Sequence, residues 1–373
     1  MRLLLLNQFG FASGAPTGRI LGELGSELGR YGHQVTLLTT DSSYGMPSRG
    51  PGRLLREGLS HLLLMWRSLW CPKVDAVISL TSPACLAVTA GIVAGIHRAR
   101  HFHWAMDIYP DVGARLGELK SGALVRFLGF LMRRAYHGAD GIITLDEDMR
   151  DYLQNNYGVD STVIEPFPPE VIWPTSGKNQ KPTRQWLYSG NFGRAHEIHV
   201  LLQIQKKLED RRVNAELILQ GQGPQFRSSQ DAASRLGLRQ IQWRAPVPIE
   251  ELGASLLEAD VLVVTRKAEM KGLLLPSKLM LAELSGRIIL WIGDTDGKTA
   301  QRLARENRHG IFTMEGAEAI AAWLQAIFER ESPEPQIAPR ATHVIRRQTV
   351  RRWAALLPKS GSPSSEEPLG KPW

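Results

Sequence analysis

Cysteine is scarce in this chain: two residues in 373, Cys71 and Cys85. Two cannot build a disulfide framework, and they read as reduced, packed thiols of a cytoplasmic protein. Long apolar runs are missing as well. The opening MRLLLLNQFG holds four consecutive leucines before Asn7 and Gln8, too few for a signal-peptide core and better suited to a buried first strand. The least charged later stretch, SLTSPACLAVTAGIVAGI at 79–96, is broken by Ser, Thr, Pro and Gly. It is marginal in length for a membrane span and reads as a strand, a turn and a buried helix. Acidic residues are outnumbered, 37 against 45 basic, for a net charge of +8 and a pI near 9.6. That balance points to an anionic partner: nucleotide, nucleic acid or acidic membrane. Nucleic acid is the weakest of these, because the basic residues are scattered and no aromatic platform is interleaved with them.

What is present is an ordinary soluble composition, 43% hydrophobic and 22% charged, in a chain long enough for two domains. Strand-like and helix-like segments alternate throughout, which predicts α/β architecture with parallel sheets. In the first half RLLLLN, QVTLLTT, VDAVISL, HFHWAM and ADGIITL are the strand candidates. VIEPFPPEVIWP, with four prolines, and the polar TSGKNQKPTR after it form the best linker candidate. The pattern then restarts with RQWLYSG, AELILQG, IQWRAPV, ADVLVVT and RIILWIG. Each half begins with a strand, a glycine-bearing loop and a long helix, so two Rossmann-like domains facing one central cleft are expected. The boundaries read as 1–168, a linker at 169–184, 185–340, a C-terminal helix at 341–357 and a disordered polar tail at 358–373.

Ligands of such sheets sit at the carboxyl ends of the strands, where both glycine loops fall. The first loop, GFASGAPTG, carries Gly10, Gly14 and Gly18. The second lies in WLYSGNFGRAHEIHVLLQ, from Trp186 to Gln203. Glycine there permits positive φ and close approach, and the helix that follows offers unpaired N–H groups to an anion. Arg194 adds a forked cation. The competing reading is a plain strand-to-helix turn with a surface arginine. The spacing G-x-x-G is not the dinucleotide fingerprint.

Other motifs have plainer readings. GDTDGKT at 293–299 is one residue short between its glycines of a P-loop. DED at 146–148 and DTD at 294–296 have the form of a metal-binding D-x-D, but Asp146 sits between a strand and a helix, where capping explains it. HFH at 101–103 places two imidazoles on one strand face without an evident third metal ligand, so a packed or hydrogen-bonded pair is expected. RLLREGLSHLLLMWRSLW at 53–70 and LKSGALVRFLGFLMRRAYHG at 119–138 set apolar residues at helical spacing among arginines. Such helices either lie in a membrane interface or bury their apolar face in the core.

Several segments together resemble the GT-B glycosyltransferases, the retaining sugar-nucleotide enzymes of glycosyltransferase family 4. The likeness is greatest to bacterial enzymes of exopolysaccharide and lipid-linked glycan assembly. It rests on LLLNQFGFASGAPTGRILGELGSELGRYGHQVTLLT, WAMDIYPD, YSGNFGRAHEIHVLL, LILQGQGP, APVPIEELGASLLEADVLVV and LLLPSKLMLAELSGRIILWIGD, and covers roughly residues 1–330. The resemblance implies transfer of a sugar from a nucleotide-diphosphate donor to a glycan, lipid-linked or small-molecule acceptor. It implies no metal and no cofactor beyond that donor. Gly14 and Ala15 would lie near the donor diphosphate. Arg194 and Lys278 would be its two cations, with Asn191, Gly193, His196 and Ser277 around them. Gly221, Gly223 and Ala245 would border the base. Asp107 would end a strand and serve as base or orienting group, the alternative being a helix cap. The family often carries paired glutamates gripping ribose and sugar. Here those places hold Leu273 and Leu281, with Glu283 near but off register. A sugar-nucleotide 2-epimerase of the same fold and a non-catalytic nucleotide-sugar binder are the rival functions. Lipid-linked acceptors in the family tip the basic helices toward peripheral contact with the inner face of an anionic membrane.

Overall fold

The computed structural model describes residues 1–40, 51–174, 184–193, 195–330 and 342–357. Arg194, the side chain of Arg53, the central part of the expected linker (175–183) and the expected tail (358–373) lie outside the described residues. By contacts the chain divides into two compact units. One comprises Met1–Trp104, Gly138–Gly141 and the described part of Arg347–Trp373; the other comprises Ala105–His137 and Ile142–Arg346.

Among the described residues there are two six-stranded sheets, and every strand pair with a described register is parallel. The first is built from β1 (Arg2–Leu6), β2 (Gln34–Leu38), β3 (Ala76–Ser79), β4 (Arg100–Trp104), β5 (Gly141–Thr144) and β6 (Thr162–Val163), in the order β2-β1-β3-β4-β5-β6. Strand β1 is buried on both faces, as its unbroken leucine run predicts. Leu4 and Leu6 pack with Leu64, Leu86, Ala90 and Val93, and Leu3 and Leu5 are equally inaccessible. The helix after β1, Pro16–Arg30, starts with proline in its first turn, where the missing N–H costs nothing. Far along the chain, the helix Thr342–Leu356 buries Trp353 edge-on against Trp104, centroids 5.2 Å apart.

The second sheet comprises β7 (Arg184–Ser189), β8 (Ala215–Gln220), β9 (Ile241–Arg244), β10 (Val261–Thr265), β11 (Ile288–Ile292) and β12 (Gly310–Phe312), in the order β12-β11-β10-β7-β8-β9. Alternation along its strands splits the core in two. Trp186, Tyr188, Leu217, Val263 and Leu290 face helices Ile198–Asp210 and Ala317–Phe328. Leu187, Ile218, Leu262, Val264 and Trp291 face helices Ile249–Glu258, Lys278–Leu284 and Lys298–Ala304. The chain runs outward from β7 to β9, then returns to lay β10 against the other side of β7. The order therefore reverses between β7 and β10, and the loops leaving those two strands part to opposite sides.

Candidate active site

The parting loops carry the second glycine turn. Gly190, directly after β7, has φ of +144°, and Gly221 and Gly223, after β8, have φ of +141° and +146°. A Cβ on Gly221 would stand 1.9 Å from the Gly190 carbonyl oxygen, and one on Gly223 would stand 2.3 Å from Asn191 Oδ1. Backbone bonds from Gly190 N to Gln220 O (2.9 Å) and Phe192 N to Gln222 O (2.8 Å) lock the two turns together. The glycines are needed because backbone meets backbone here and no side chain fits. Gln225 Nε2 donates to the carbonyls of Gly193 and His196 at 2.5 and 3.1 Å. The turn thus enters the helix Ile198–Asp210 already fixed.

Across from it, β10 supplies the matching edge. His196 Nδ1 lies 2.7 Å from the Thr265 carbonyl oxygen. Because that oxygen only accepts, Nδ1 carries the proton and Nε2 the lone pair. Burial, with a lesser contribution from the neighbouring Lys278, pushes the His196 pKa down to about 3. Lys267 N donates to Ala195 O at 3.1 Å, and Lys267 Nζ pairs with Glu197 at 2.7 Å. Lys278, first residue of its helix, reaches back over β7: its Nζ sits 3.7 Å from the centre of the Tyr188 ring. A Cβ on Gly190 would come within 3.1 Å of Lys278 Cε. The lysine Nζ is buried without a hydrogen-bond partner among the described residues, and burial drives its pKa well below the ordinary lysine value. The sequence named Lys278 and His196, and the structure brings both to this turn. Sequence reasoning missed Tyr188 and Thr265, which look like core strand residues because the sheet alternation makes them so.

Asp107 lies three residues past β4, in the second contact unit. Its backbone bridges Leu274 antiparallel, and Ile108 N donates to Leu273 O at 2.9 Å. Burial raises its carboxyl to about pKa 6. The helix Asp111–Arg115 has Pro110 at its N-cap and no side-chain cap bond. Asp111 instead accepts from the hydroxyls of Tyr152 (2.9 Å) and Tyr157 (2.5 Å).

The two acidic motifs meet on one arginine that sequence reading overlooked. Arg266, fully buried at the end of β10, lies 2.7 Å from Asp294, 3.6 Å from Asp148 and 3.9 Å from Asp146. Asp146 also caps the helix Glu147–Tyr157 by accepting from Met149 N at 2.8 Å, as its position predicted. Asp148 accepts from Lys298 N at 2.8 Å, so the P-loop-like turn spends its helix N-terminus on a carboxylate of this chain. Arg266 Nη1 further donates to Leu274 O at 3.2 Å, the residue paired with Asp107. In the sequence, the signal was a charged residue directly following the apolar run ADVLVVT.

Other expected residues are placed as follows. Gly14 is exposed with φ of +75°, whereas Ala15 is buried and its N–H donates to Ser13 Oγ at 3.2 Å. Ala245, after β9, and Ser277, before the Lys278 helix, are exposed. Glu283 is ion-paired with Arg302. His101 and His103 share Ser79 Oγ, at 3.1 and 2.9 Å, and burial lowers their pKa values to about 4 and 3. They form the hydrogen-bonded pair that the sequence suggested.

Residues 17–170 match the glycosyl transferase 4-like domain. WbjE of Pseudomonas aeruginosa, a probable glycosyltransferase, is 24% identical over a match spanning 66% of this chain and 66% of that protein, slightly under two thirds of the relative's length. Among solved structures, sucrose-phosphate synthase of Thermosynechococcus elongatus superposes with a TM-score of 0.66 at 14% identity, covering 95% of this chain and 96% of that one. HepE of Anabaena, solved with UDP and glucose, gives 0.63 at 13% identity, over 96% and 99%. The chain has the GT-B fold, with a glycosyl transferase 4-like domain over residues 17–170. In this GT-B chain the places of the paired glutamates are apolar and buried: Leu281 joins the core under the second sheet, and Leu273 is fully inaccessible.

Proposed function

We propose that the chain transfers a sugar, a hexose or close relative, from a nucleoside-diphosphate donor to a glycan, lipid-linked or small-molecule acceptor, with retention at the anomeric carbon. The observation that carries this reading is the buried Lys278 Nζ, without a hydrogen-bond partner among the described residues, held over the glycine turn at the switch point of the second sheet. Departure of the donor diphosphate needs fixed positive charge, and a preorganised cation in a dry site stabilises it without reorganisation. Lys278, Arg194 and the N-terminus of the helix Ile198–Asp210 supply that charge. The leaving phosphate then takes the acceptor proton, or Asp107 does so as base. HepE, solved with UDP and glucose, supports a uridine donor as the first choice. Residues 1–168 would handle the acceptor and 185–340 the donor, in the cytoplasm or at the inner face of the cell membrane.

A thermal-shift panel of nucleotide sugars tests this, since a ligand that binds only the folded state raises Tm. At least one uridine or other nucleoside-diphosphate sugar should stabilise the chain; no response to any of them would overturn the reading. The same reading assigns no divalent metal to the transfer, because Asp146, Asp148 and Asp294 are gathered on Arg266. Transfer should persist in excess chelator, and loss restored by magnesium or manganese would contradict it. The buried Leu273 and Leu281 favour one second reading, a binder of nucleotide sugars without turnover, which stabilisation without transfer would support.

A further inference from the structure

Lys278 sits in an unusual setting for the cation of an anion site. Its Nζ is enclosed by the face of Tyr188 and the backbone of Gly190, with no hydrogen-bond partner among the described residues. Charged groups on its own helix and on the neighbouring elements are committed elsewhere. Glu197 is held by Lys267 at 2.7 Å, Glu283 on its own helix by Arg302, and Arg266 at the end of β10 by Asp294. His196 is tied to Thr265 O through Nδ1 and stays neutral at physiological pH, so it offers no counter-charge. Arg194 lies outside the described residues. A tyrosine face offsets only a small part of the cost of burying an ammonium. A lysine in this setting sheds its proton far more readily than one in water, and burial lowers its pKa accordingly.

We infer that binding of a diphosphate at the glycine turn is coupled to uptake of one proton from solvent by Lys278 Nζ. The free site holds a neutral amine; the arriving diphosphate supplies the missing anionic partner, and the amine becomes an ammonium that donates to a phosphate oxygen. No covalent bond changes, and the proton comes from water or buffer. The coupling rests on the donor reading above and adds a consequence to it. The site opposes carrying a bare positive charge while free, yet acquires full charge opposite the leaving group. The sign follows from linkage: affinity is greatest below the pKa of the free lysine and falls about tenfold per pH unit between the free and bound values.

The test is isothermal titration calorimetry of the full chain with UDP, and separately with inorganic pyrophosphate. It is run at about pH 8, above the second pKa of about 6 of the UDP terminal phosphate, in two buffers of different ionisation enthalpy; pyrophosphate, which still carries a proton at this pH, is read for binding only. Wild type should take up close to one proton per UDP. Lys278→Arg, charged at every working pH, should bind with little uptake, and Lys278→Met should bind more weakly, also with little uptake. His196→Asn should leave the uptake in place. Binding of UDP by wild type without proton uptake, or uptake undiminished in both Lys278 variants, overturns the coupling while leaving the donor reading intact. Failure of both UDP and pyrophosphate to bind overturns the donor reading and the coupling together.

Discussion

Asp107 is a carboxylate that the fold partly withholds from water, and burial lifts its pKa from 3.8 to about 6. The native state therefore binds its proton more tightly than the unfolded chain. Its contribution to stability is fully present below the unfolded value and is lost as pH rises through about 6. Asp107→Asn removes that titration, so the melting temperature at neutral pH should hold or rise. Turnover should move the other way. If the carboxylate takes the acceptor proton, wild-type kcat falls as pH drops below about 6, and the asparagine variant loses about 10²–10⁴-fold in kcat at neutral pH. A variant with unchanged kcat and an unchanged acid limb would leave Asp107 a purely structural residue. At this scale the sequence singles out candidates where chemistry shows as residue type, as with Lys278 in PSK and Asp107 in WAMDIYP. It is silent where a role depends on what lies opposite. Nothing about Tyr188 separates it from its buried neighbours until the lysine is seen over its ring.

The loop from Ala268 to Leu275 shows how elements hold that aspartate. Arg115 Nη1 donates to Glu269 O at 2.6 Å, Lys271 pairs with Asp296 at 2.7 Å, and Arg266 Nη1 holds Leu274 O at 3.2 Å. Gly272, at φ of +72°, lets the loop approach helix Glu147–Tyr157 so closely that a Cβ would stand 2.9 Å from Asp148 O. Arg266 is the member whose removal should cost most. It is the buried cation on which three carboxylates converge, and breaking such a cluster from one side leaves unpaired buried charge. Arg266→Met should destabilise the chain by about 3–5 kcal/mol, read as a lowered denaturant midpoint. A change below about 1 kcal/mol would show that the carboxylates are neutral or hydrated in the native state. The strands and helices here were legible because apolar alternation repeats over many residues. The cluster was not, because its members come from motifs far apart in the chain that were each read alone.

For the molecule as a whole, the open physical question is what meets its basic, partly apolar exterior. The net charge is +8, and among the described residues no helix is long and apolar enough to cross a membrane. The helix Pro51–Ser68 carries Leu55, Leu59, Leu62 and Trp66 at 76, 53, 59 and 58% exposure, continued by Trp70 at 77%. These spacings set one apolar stripe along the outward face, while Leu64 on the other side of the helix packs in the core. Helix Gly122–His137 similarly exposes Leu124, Phe127 and Phe130. The arginines are less free than the sequence suggested. Arg67 donates to Thr39 O, and Arg133 donates to the carbonyls of Tyr157 and Asn156, while Arg134 is exposed. Apolar insertion should therefore carry more of any membrane affinity than charge does. Each free basic residue near an anionic surface adds about 1 kcal/mol, screened within about 8 Å at physiological salt. The chain should co-sediment with anionic vesicles, and Leu59→Gln with Trp66→Ser should weaken that binding more than Arg134→Ala. Added salt should reduce it only in part. If the wild-type chain stays in the supernatant with anionic vesicles at low salt, the stripe does not dock on lipid, and the acceptor is to be sought among soluble glycans and small molecules.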